Sequence, residues 1–257
     1  MNNALRTSEI IEIAKSEGKV LVDDLARRFG VTTQTIRRDL AELDGAGKLE
    51  RVHGGAILPR GVVNLDYKHR QNLNASGKKW IGQACAQHIP ENASIFINIG
   101  TTTEAVSREL LEHKDLLVVT NSLNTANILS ANPDCDIVVA GGNLRRSDGG
   151  LLGNLTTQIV DNFKFDLAII SCAGVDDDGD LLEFDLQEVH ATKSIIRQAK
   201  STFVVADQTK IGRGAPGKIG NLQLVDKLFT DGPVPDEYLH RWADFDLEVI
   251  SPEHTPA

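Results

Sequence analysis

Between residues 94 and 250, six short apolar runs are separated by stretches of helical period. The runs are 94–97 (SIFI), 116–119 (LLVV), 137–139 (IVV), 167–170 (LAII), 203–205 (FVV) and 247–250 (LEVI). Helical patterns lie at about 76–88, 102–113, 122–130, 154–162, 187–199 and 236–243. A run of consecutive β-branched and aromatic residues has no polar side to turn to water. It needs cover on both faces, and the intervening helices supply it. The pattern predicts an α/β domain over 75–257, built on a mostly parallel sheet. No repeat of 20–50 residues and no low-complexity segment is present.

The first 58 residues follow another pattern. Leu5, Ile10, Ile11, Ile13 and Ala14 mark a helix over 5–16 that Gly18 ends. The stretch 19–21 (KVL) is long enough only for a bridge strand. In 23–29 (DDLARRF), Leu25, Ala26 and Phe29 share a face, two acids occupy the first turn, where the helix dipole favours them, and Gly30 supplies the stop. Thr32 or Thr33 caps a further helix whose Ile36, Leu40 and Leu43 recur at i, i+4 and i+7. Gly45 and Gly47 end it. Then 48–52 (KLERV) alternates as a strand, 53–55 (HGG) turns, and 56–58 (AIL) returns. Helix, helix, tight turn, helix and hairpin within 58 residues predict a winged helix-turn-helix. Residues 59–74 open on Pro59 and Gly61 without a clean period and read as a linker with at most one docked element.

Charge separates the same two bodies. The chain has a formal net charge of -9, yet residues 1–60 hold ten Lys/Arg and nine Asp/Glu, a net of +1, so the rest carries -10. The apolar fraction of 41% and charged fraction of 25% are those of an ordinary globular protein. No apolar run approaches the roughly 20 residues that span a bilayer. The opening MNNALRTSEI lacks a basic segment followed by an apolar one, so a cytoplasmic protein without membrane contact is expected. Three scattered cysteines without CxxC spacing, and seven histidines without HxxxH, predict neither disulfide framework nor metal site, and no cofactor. The acidic stretch 176–180 (DDDGD) fails as a calcium loop. An EF-hand register ending in Gly179 puts Gly174 at the first ligand position and Asp185 at the last, so an acidic hairpin turn is expected.

On a helix over 33–40, Thr33, Gln34, Arg37 and Arg38 lie largely opposite the apolar face. A helix fits the major groove of B-form DNA, and Gln and Arg match adenine and guanine edges bidentately. Arg27 and Arg28 end the preceding helix, where they can approach phosphates. Lys48, Arg51 and His53 can form a wing over a neighbouring phosphate run. Phosphate contacts would supply affinity and base contacts specificity.

In the second body, 95–104 (IFINIGTTTE) runs strand, glycine, three threonines, helix. A glycine permits the tight turn, and Gly100, Thr101, Thr102 and Thr103 offer amides and hydroxyls to a phosphate. The segment is neither a Walker A nor a GxGxxG sequence. Further polar clusters end other strands: Asn121 in 120–122 (TNS), Gly141 and Gly142 in 140–142 (AGG), Asp176 in 173–176 (AGVD), and Lys210 in 207–210 (DQTK). In an open parallel sheet, ligands sit outside the carboxyl ends of the strands. A dianion there would need local cations such as Lys210.

The residues 31–40 (VTTQTIRRDL), Leu43, 47–49 (GKL) and 51–56 (RVHGGA) closely resemble the DNA-binding signature of the DeoR family of bacterial repressors, over residues 5–58. The resemblance implies that Thr33, Gln34, Thr35, Arg37 and Arg38 read bases or hold phosphates on double-stranded operator DNA. Residues 76–250 resemble the effector domain of that family, a Rossmann-like fold similar to ribose-phosphate isomerases and glucosamine-phosphate deaminases. In that likeness 98–103 (NIGTTT) is the phosphate loop and 207–210 a second ligand segment. The stretches 148–150 (DGG) and 181–185 (LLEFD) look most like the family's repressors of glycerol-phosphate metabolism, which implies an effector resembling glycerol phosphate. Asp176, Glu183, Asp185 and Glu188 would then meet its hydroxyls. Asn98 departs from the Asp usual in such repressors.

Enzymatic turnover is the rival reading: a phosphosugar isomerase or deaminase with an accessory DNA-binding domain. Isomerisation needs a carboxylate base beside the sugar carbons. Matched to the isomerases, Ala173 stands where they carry an Asp and Glu183 where they carry a Lys. The expectation is a site that binds without turnover. A repressor responding to another sugar phosphate is the other alternative. Two DNA half-sites imply a homo-oligomer, dimer or tetramer.

Overall fold

A computed structural model describes residues 3–17, 19–46, 48–52, 54–57 and 67–252. The chain divides into two compact units, Met1–Ala75 and Ser76–Ala257.

The first unit contains α1 (Asn3–Glu17), β1 (Lys19–Leu21), α2 (Val22–Phe29), α3 (Thr33–Gly45), β2 (Glu50–Val52), β3 (Gly55–Ile57) and α4 (Tyr67–Asn72). Ile10, Ile13 and Ala14 of α1, Leu25 and Ala26 of α2, and Ile36, Leu40 and Leu43 of α3 meet in one core. Gly30 ends α2 in the left-handed region at φ 63°, which costs a glycine little, and its amide reaches the carbonyls of Ala26 and Arg27. Thr32 is the cap of α3: its hydroxyl accepts from the Thr35 amide at 3.2 Å. The strands form an antiparallel sheet in the order β1-β3-β2, with β2–β3 as the wing. Gly55 pairs with Leu21, and a Cβ there would lie 1.9 Å from the Val20 carbonyl oxygen. The returning strand therefore starts at Gly55, one residue earlier than the sequence suggests. Helix α4 falls within residues 59–74 and lies beside α1.

The second unit runs α5 (Ala75–Ala86), β4 (Ser94–Ile97), α6 (Thr101–Glu109), β5 (Leu116–Thr120), α7 (Leu123–Leu129) and β6 (Cys135–Val139). There follow β7 (Asn143–Arg145), β8 (Gly150–Leu152), α8 (Asn154–Val160), β9 (Phe165–Ile170), β10 (Gly174–Val175), β11 (Asp180–Glu183), α9 (Leu186–Gln198) and β12 (Ala199–Val205). The remainder is β13 (Gly217–Asn221), β14 (Lys227–Phe229), α10 (Asp236–Arg241) and β15 (Glu248–Ile250). Seven strands form a sheet in the order β15-β14-β12-β9-β4-β5-β6, every pair parallel.

Alternate residues of each strand face opposite layers. Ile95, Ile97, Ile169, Phe203 and Val205 pack with Ile81 and Cys85 of α5 and Val106 of α6. Phe96, Ala168, Ile170 and Val204 pack with Val160 of α8, Val189 and Ile195 of α9, and Tyr238 of α10. Each Val, Ile and Phe among them contributes on the order of 1.5–3 kcal/mol by burial. The expected doubly covered parallel sheet is what forms. The acidic hairpin turn expected at 176–180 joins the antiparallel strands β10 and β11, whereas strand β14, the β7–β8 hairpin and the pairing of β13 with β11 were missed.

Candidate functional site

Helix α3 buries Ile36, Asp39, Leu40 and Leu43 and exposes Gln34, Arg37 and Arg38. Thr33 and Thr35 are half-buried, and the Thr35 hydroxyl lies 3.0 Å from that of Thr32, which ties it to the cap. Arg28, Lys48 and Arg51 are exposed, and the exposed Arg27 is paired with Asp24 one turn earlier. The Arg51 amide donates to Asp44 Oδ1 at 3.2 Å, joining the wing to the end of α3. His53 lies outside the described residues.

One contact in this unit was not anticipated. Arg6 of α1 meets Asp39 of α3 through two parallel hydrogen bonds, Nε to Oδ2 at 2.6 Å and Nη2 to Oδ1 at 3.0 Å. Both residues are buried. The fork fixes the azimuth of α3, and so which side chains it exposes. Its signal was present: Asp39 stands on the apolar arc of α3, between Ile36 and Leu43, where a carboxylate requires a partner.

In the second unit, strand order reverses between β4 and β9, which lie side by side at the sheet's centre while their continuations run to opposite edges. Such a switch point opens a crevice at the carboxyl ends of the strands. The turn after β4, residues 98–100, sits there. The Ser171 amide, just past β9, donates to Asn98 Oδ1 at 3.0 Å, and its hydroxyl donates to the Ile99 carbonyl at 3.0 Å. A Cβ on Gly100 would lie 2.3 Å from Ser171 Oγ, so only glycine lets the turn pass this close. Helix α6 begins immediately afterwards, and its first-turn amides face the carboxyl edge. Thr102 and Thr103 are buried, and the Thr103 hydroxyl is directed at the carbonyls of Asn98 and Gly100, each 2.8 Å away. Thr103 therefore braces the turn, and Thr101 is the half-buried one.

Several buried polar atoms at this edge lack a hydrogen-bond partner: Asn98 Nδ2, Asn121 Oδ1, Asp207 Oδ2 and Thr230 Oγ1. Asn98 is 1% exposed. Groups of this kind are costly unless something satisfies them. Lys210 and Glu183 lie close enough to the Cys172 thiol, beside Ser171, to act on it electrostatically; burial pushes that thiol up to about 12. The edge thus brings together Gly100, Thr101, Thr102, Thr103, Asn121, Glu183 and Lys210.

Asp185 and Glu188 reach the same region through a residue the sequence reading passed over. Arg145, at the end of β7, donates Nε to Asp148 Oδ1 at 2.9 Å and Nη2 to Asp148 Oδ2 at 2.7 Å. It also donates Nη1 to Asp185 Oδ2 at 2.9 Å and Nη2 to Glu188 Oε2 at 2.8 Å. Burial works against its charge, but the hydrogen bonds of Asp148 and the charge of Glu188 outweigh that and raise its pKa. The Asn124 side-chain amide then donates to the Asp148 carbonyl at 2.9 Å and to Glu104 Oε1, in the first turn of α6, at 3.0 Å. A visible sign was Arg145-Arg146 within the strongly acidic part of the chain, residues 61–257 of net charge -10.

Three predicted ligand residues have other neighbours. Asp176 Oδ1 accepts from the amides of Asp178 and Asp180 and so closes the β10–β11 turn, against which Trp242 and Phe245 pack. The Gly141 carbonyl accepts from the Thr156 hydroxyl at 2.6 Å. Gly142 has φ 147°, and a Cβ there would lie 2.6 Å from the Leu152 carbonyl oxygen. Both glycines seat β7–β8 against α8.

Family models match the chain twice: a DeoR-like helix-turn-helix domain over residues 6–61, and a DeoR C terminal sensor domain over residues 73–232. The chain belongs to the DeoR family of transcriptional repressors. A glycerol-3-phosphate regulon repressor of Escherichia coli is 39% identical over 97% of this DeoR-family chain and 99% of its own. That of Haemophilus influenzae is 41% identical over 92% of each. The E. coli repressor CsqR is 38% identical over 96% of this chain and 95% of its own. Among solved structures, ribose 5-phosphate isomerase A of Methanocaldococcus jannaschii aligns at 14% identity and a TM-score of 0.41, over 54% of this chain and 55% of that one. No described helix of the DeoR-family chain is long and apolar enough to cross a membrane.

Proposed function

We propose that this DeoR-family repressor binds double-stranded operator DNA through α3 and the wing, and is released by a phosphorylated small sugar or polyol. Glycerol 3-phosphate is the first candidate, because relatives 39–41% identical over most of the chain are named for its regulon. One observation carries the ligand reading: the turn 98–100 lies at the switch point of the sheet, beside a helix N-terminus and a buried, unpartnered Asn98 Nδ2. Phosphate would rest on the amides of Gly100 to Thr103 with Lys210 as counter-charge. Ligand hydroxyls would meet the carboxylates of Glu183, Asp185 and Glu188, with Asp176 confined to its own turn. Release follows only as far as the ligand binds the DNA-incompetent geometry more tightly than the competent one.

Operator release titrated with glycerol 3-phosphate, hexose phosphates and pentose phosphates tests this directly. Release by glycerol 3-phosphate alone is expected; release by a hexose or pentose phosphate instead would replace the effector. A dimer or tetramer on two half-sites, and no turnover of any of these esters, belong to the same reading. Measurable isomerisation that disappears in Glu188→Gln would favour an enzyme.

On the DNA side, Arg37→Ala should weaken specific binding by about 1–3 kcal/mol as a base contact. Arg38→Ala should lower the salt slope by about one unit as a phosphate contact. Fluorescence anisotropy at several salt concentrations reads both. Unchanged operator affinity in the double variant would remove α3 from the interface.

A further inference from the structure

The carboxylates proposed for ligand hydroxyls are not equivalent. The Glu183 carboxylate accepts from the neighbouring Phe184 amide at 2.8 Å, and that of Asp176 serves its own turn. Asp185 and Glu188, at the start of α9, are also held from outside their own segment. Each gives one oxygen to the same guanidinium, that of Arg145 some forty residues earlier, while both Asp148 oxygens complete the planar fork. A carboxylate oxygen that accepts one such bond keeps a second lone pair for another donor. A carboxylate oxygen suits a hydroxyl donor and repels a second anion.

The hairpin carrying Arg145 also rests on the phosphate turn. A Cβ on Gly150 would lie 2.6 Å from the Ile99 side chain, the Leu151 amide donates to the Asn121 carbonyl at 2.7 Å, and the Asn121 side-chain amide donates to the Leu151 carbonyl at 3.2 Å. Through Asn124, the Asp148 segment is bonded to Glu104 in the first turn of α6. One hairpin thus spans two helix starts: α6, where a phosphate would sit, and α9, where Asp185 caps the helix by accepting from the Gln187 amide at 2.8 Å.

We propose that Arg145 is the positioning residue of the effector site, and that it sets selectivity for a hydroxylated phosphate ester by holding Asp185 and Glu188 at a fixed span from the turn at Gly100. The proposal rests on the effector reading above. Arg145 is directed at the carboxylates rather than at a phosphate: four of its five N–H donors go to Asp148, Asp185 and Glu188. Its charge restrains those carboxylates from repelling one another, and its planar fork fixes their orientation, which an ammonium does not do.

Calorimetric titration of the full-length protein with glycerol 3-phosphate and with propyl phosphate, which keeps the ester and lacks both hydroxyls, tests it. The wild type should prefer glycerol 3-phosphate. Arg145→Gln should raise its Kd by about tenfold or more, the size expected when hydrogen bonds to charged groups are lost. Propyl phosphate should move by less than about threefold, so that the preference collapses. Arg145→Lys should restore little of it. Operator affinity and the unfolding midpoint of the first unit should not change. Equal weakening of both esters would reduce Arg145 to a structural role, and a preference that survives Arg145→Gln would overturn the proposal outright. A wild type that binds neither ester overturns the effector reading itself, and this proposal with it.

Discussion

Asp39→Ala is expected to destabilise the DNA-binding unit by about 3–5 kcal/mol, the cost of removing one partner from a buried ion pair. Arg6 is 7% exposed and Asp39 3%, and their two hydrogen bonds tie α1 to α3 beside the apolar core the two helices share. Without the carboxylate, the guanidinium either stays in the core stripped of both of these charge-assisted hydrogen bonds or leaves it and disturbs α1. Against a total stability of the order of 5–15 kcal/mol, this is a large fraction and raises the population of opened states steeply. Operator affinity should fall steeply although Asp39 is buried and α3 keeps every exposed side chain. Urea unfolding of the full-length protein and operator binding measure the two effects. The double change Arg6→Met with Asp39→Leu should recover most of the stability, since apolar residues of similar volume often replace a buried pair without loss. An Asp39→Ala protein with a wild-type unfolding curve would show that the pair contributes nothing.

Gly174→Ala should disable the sensor and spare the DNA-binding unit. A Cβ at this position would lie 2.0 Å from the Arg213 carbonyl oxygen and 2.7 Å from its carbon, backbone atoms that cannot rotate aside. The neighbouring contacts are close too: the Gly212 amide donates to the Val175 carbonyl at 2.7 Å, and Val175 bridges to Ile211. The segment from Asp207 to Arg213, with Lys210 in it, must therefore shift. The expected cost is about 3 kcal/mol, as for other insertions into close-packed sites. The effector concentration for half-release should rise more than about tenfold if Lys210 moves from a phosphate by even one contact. Gly214→Ala, which meets nothing within 4 Å, is the control and should behave as wild type. Normal effector response in Gly174→Ala would mean that the 207–213 segment takes no part in ligand binding.

Sequence reasoning was reliable where a constraint is local. Residues 95–97 read as a buried strand because consecutive Ile, Phe and Ile leave no face for water, and they do face both layers. Thr32 or Thr33 read as a cap because a hydroxyl just before an apolar helical period can satisfy an exposed amide, and it is Thr32 that accepts from Thr35. Gly30 and Gly100 stand where the chain needs a left-handed turn or a close approach. Strand β14 was not legible. Its three residues, Lys227, Leu228 and Phe229, show no period, and only their place between β12 and β15 makes them a strand. The β7–β8 hairpin escaped for a similar reason: Asn143 and Leu144 are exposed, and its support comes from Ile99 and Asn121 elsewhere in the chain.

The amino-acid sequence by itself determined the layers of each unit, the helix starts and stops, the division of charge between a nearly neutral head and an acidic sensor, and the family. Those properties follow from periods of two and 3.6 residues and from the steric freedom of single glycines, all of which act within a few residues. The tertiary structure alone decided which charges meet. Arg6 finds Asp39 across 33 positions, and Arg145 finds Asp185 and Glu188 across 40 and 43. An ion pair forms only when two side chains arrive within about 3 Å from separate elements. That separation is set by how helices cross and strands order themselves, and no local period in the chain encodes it.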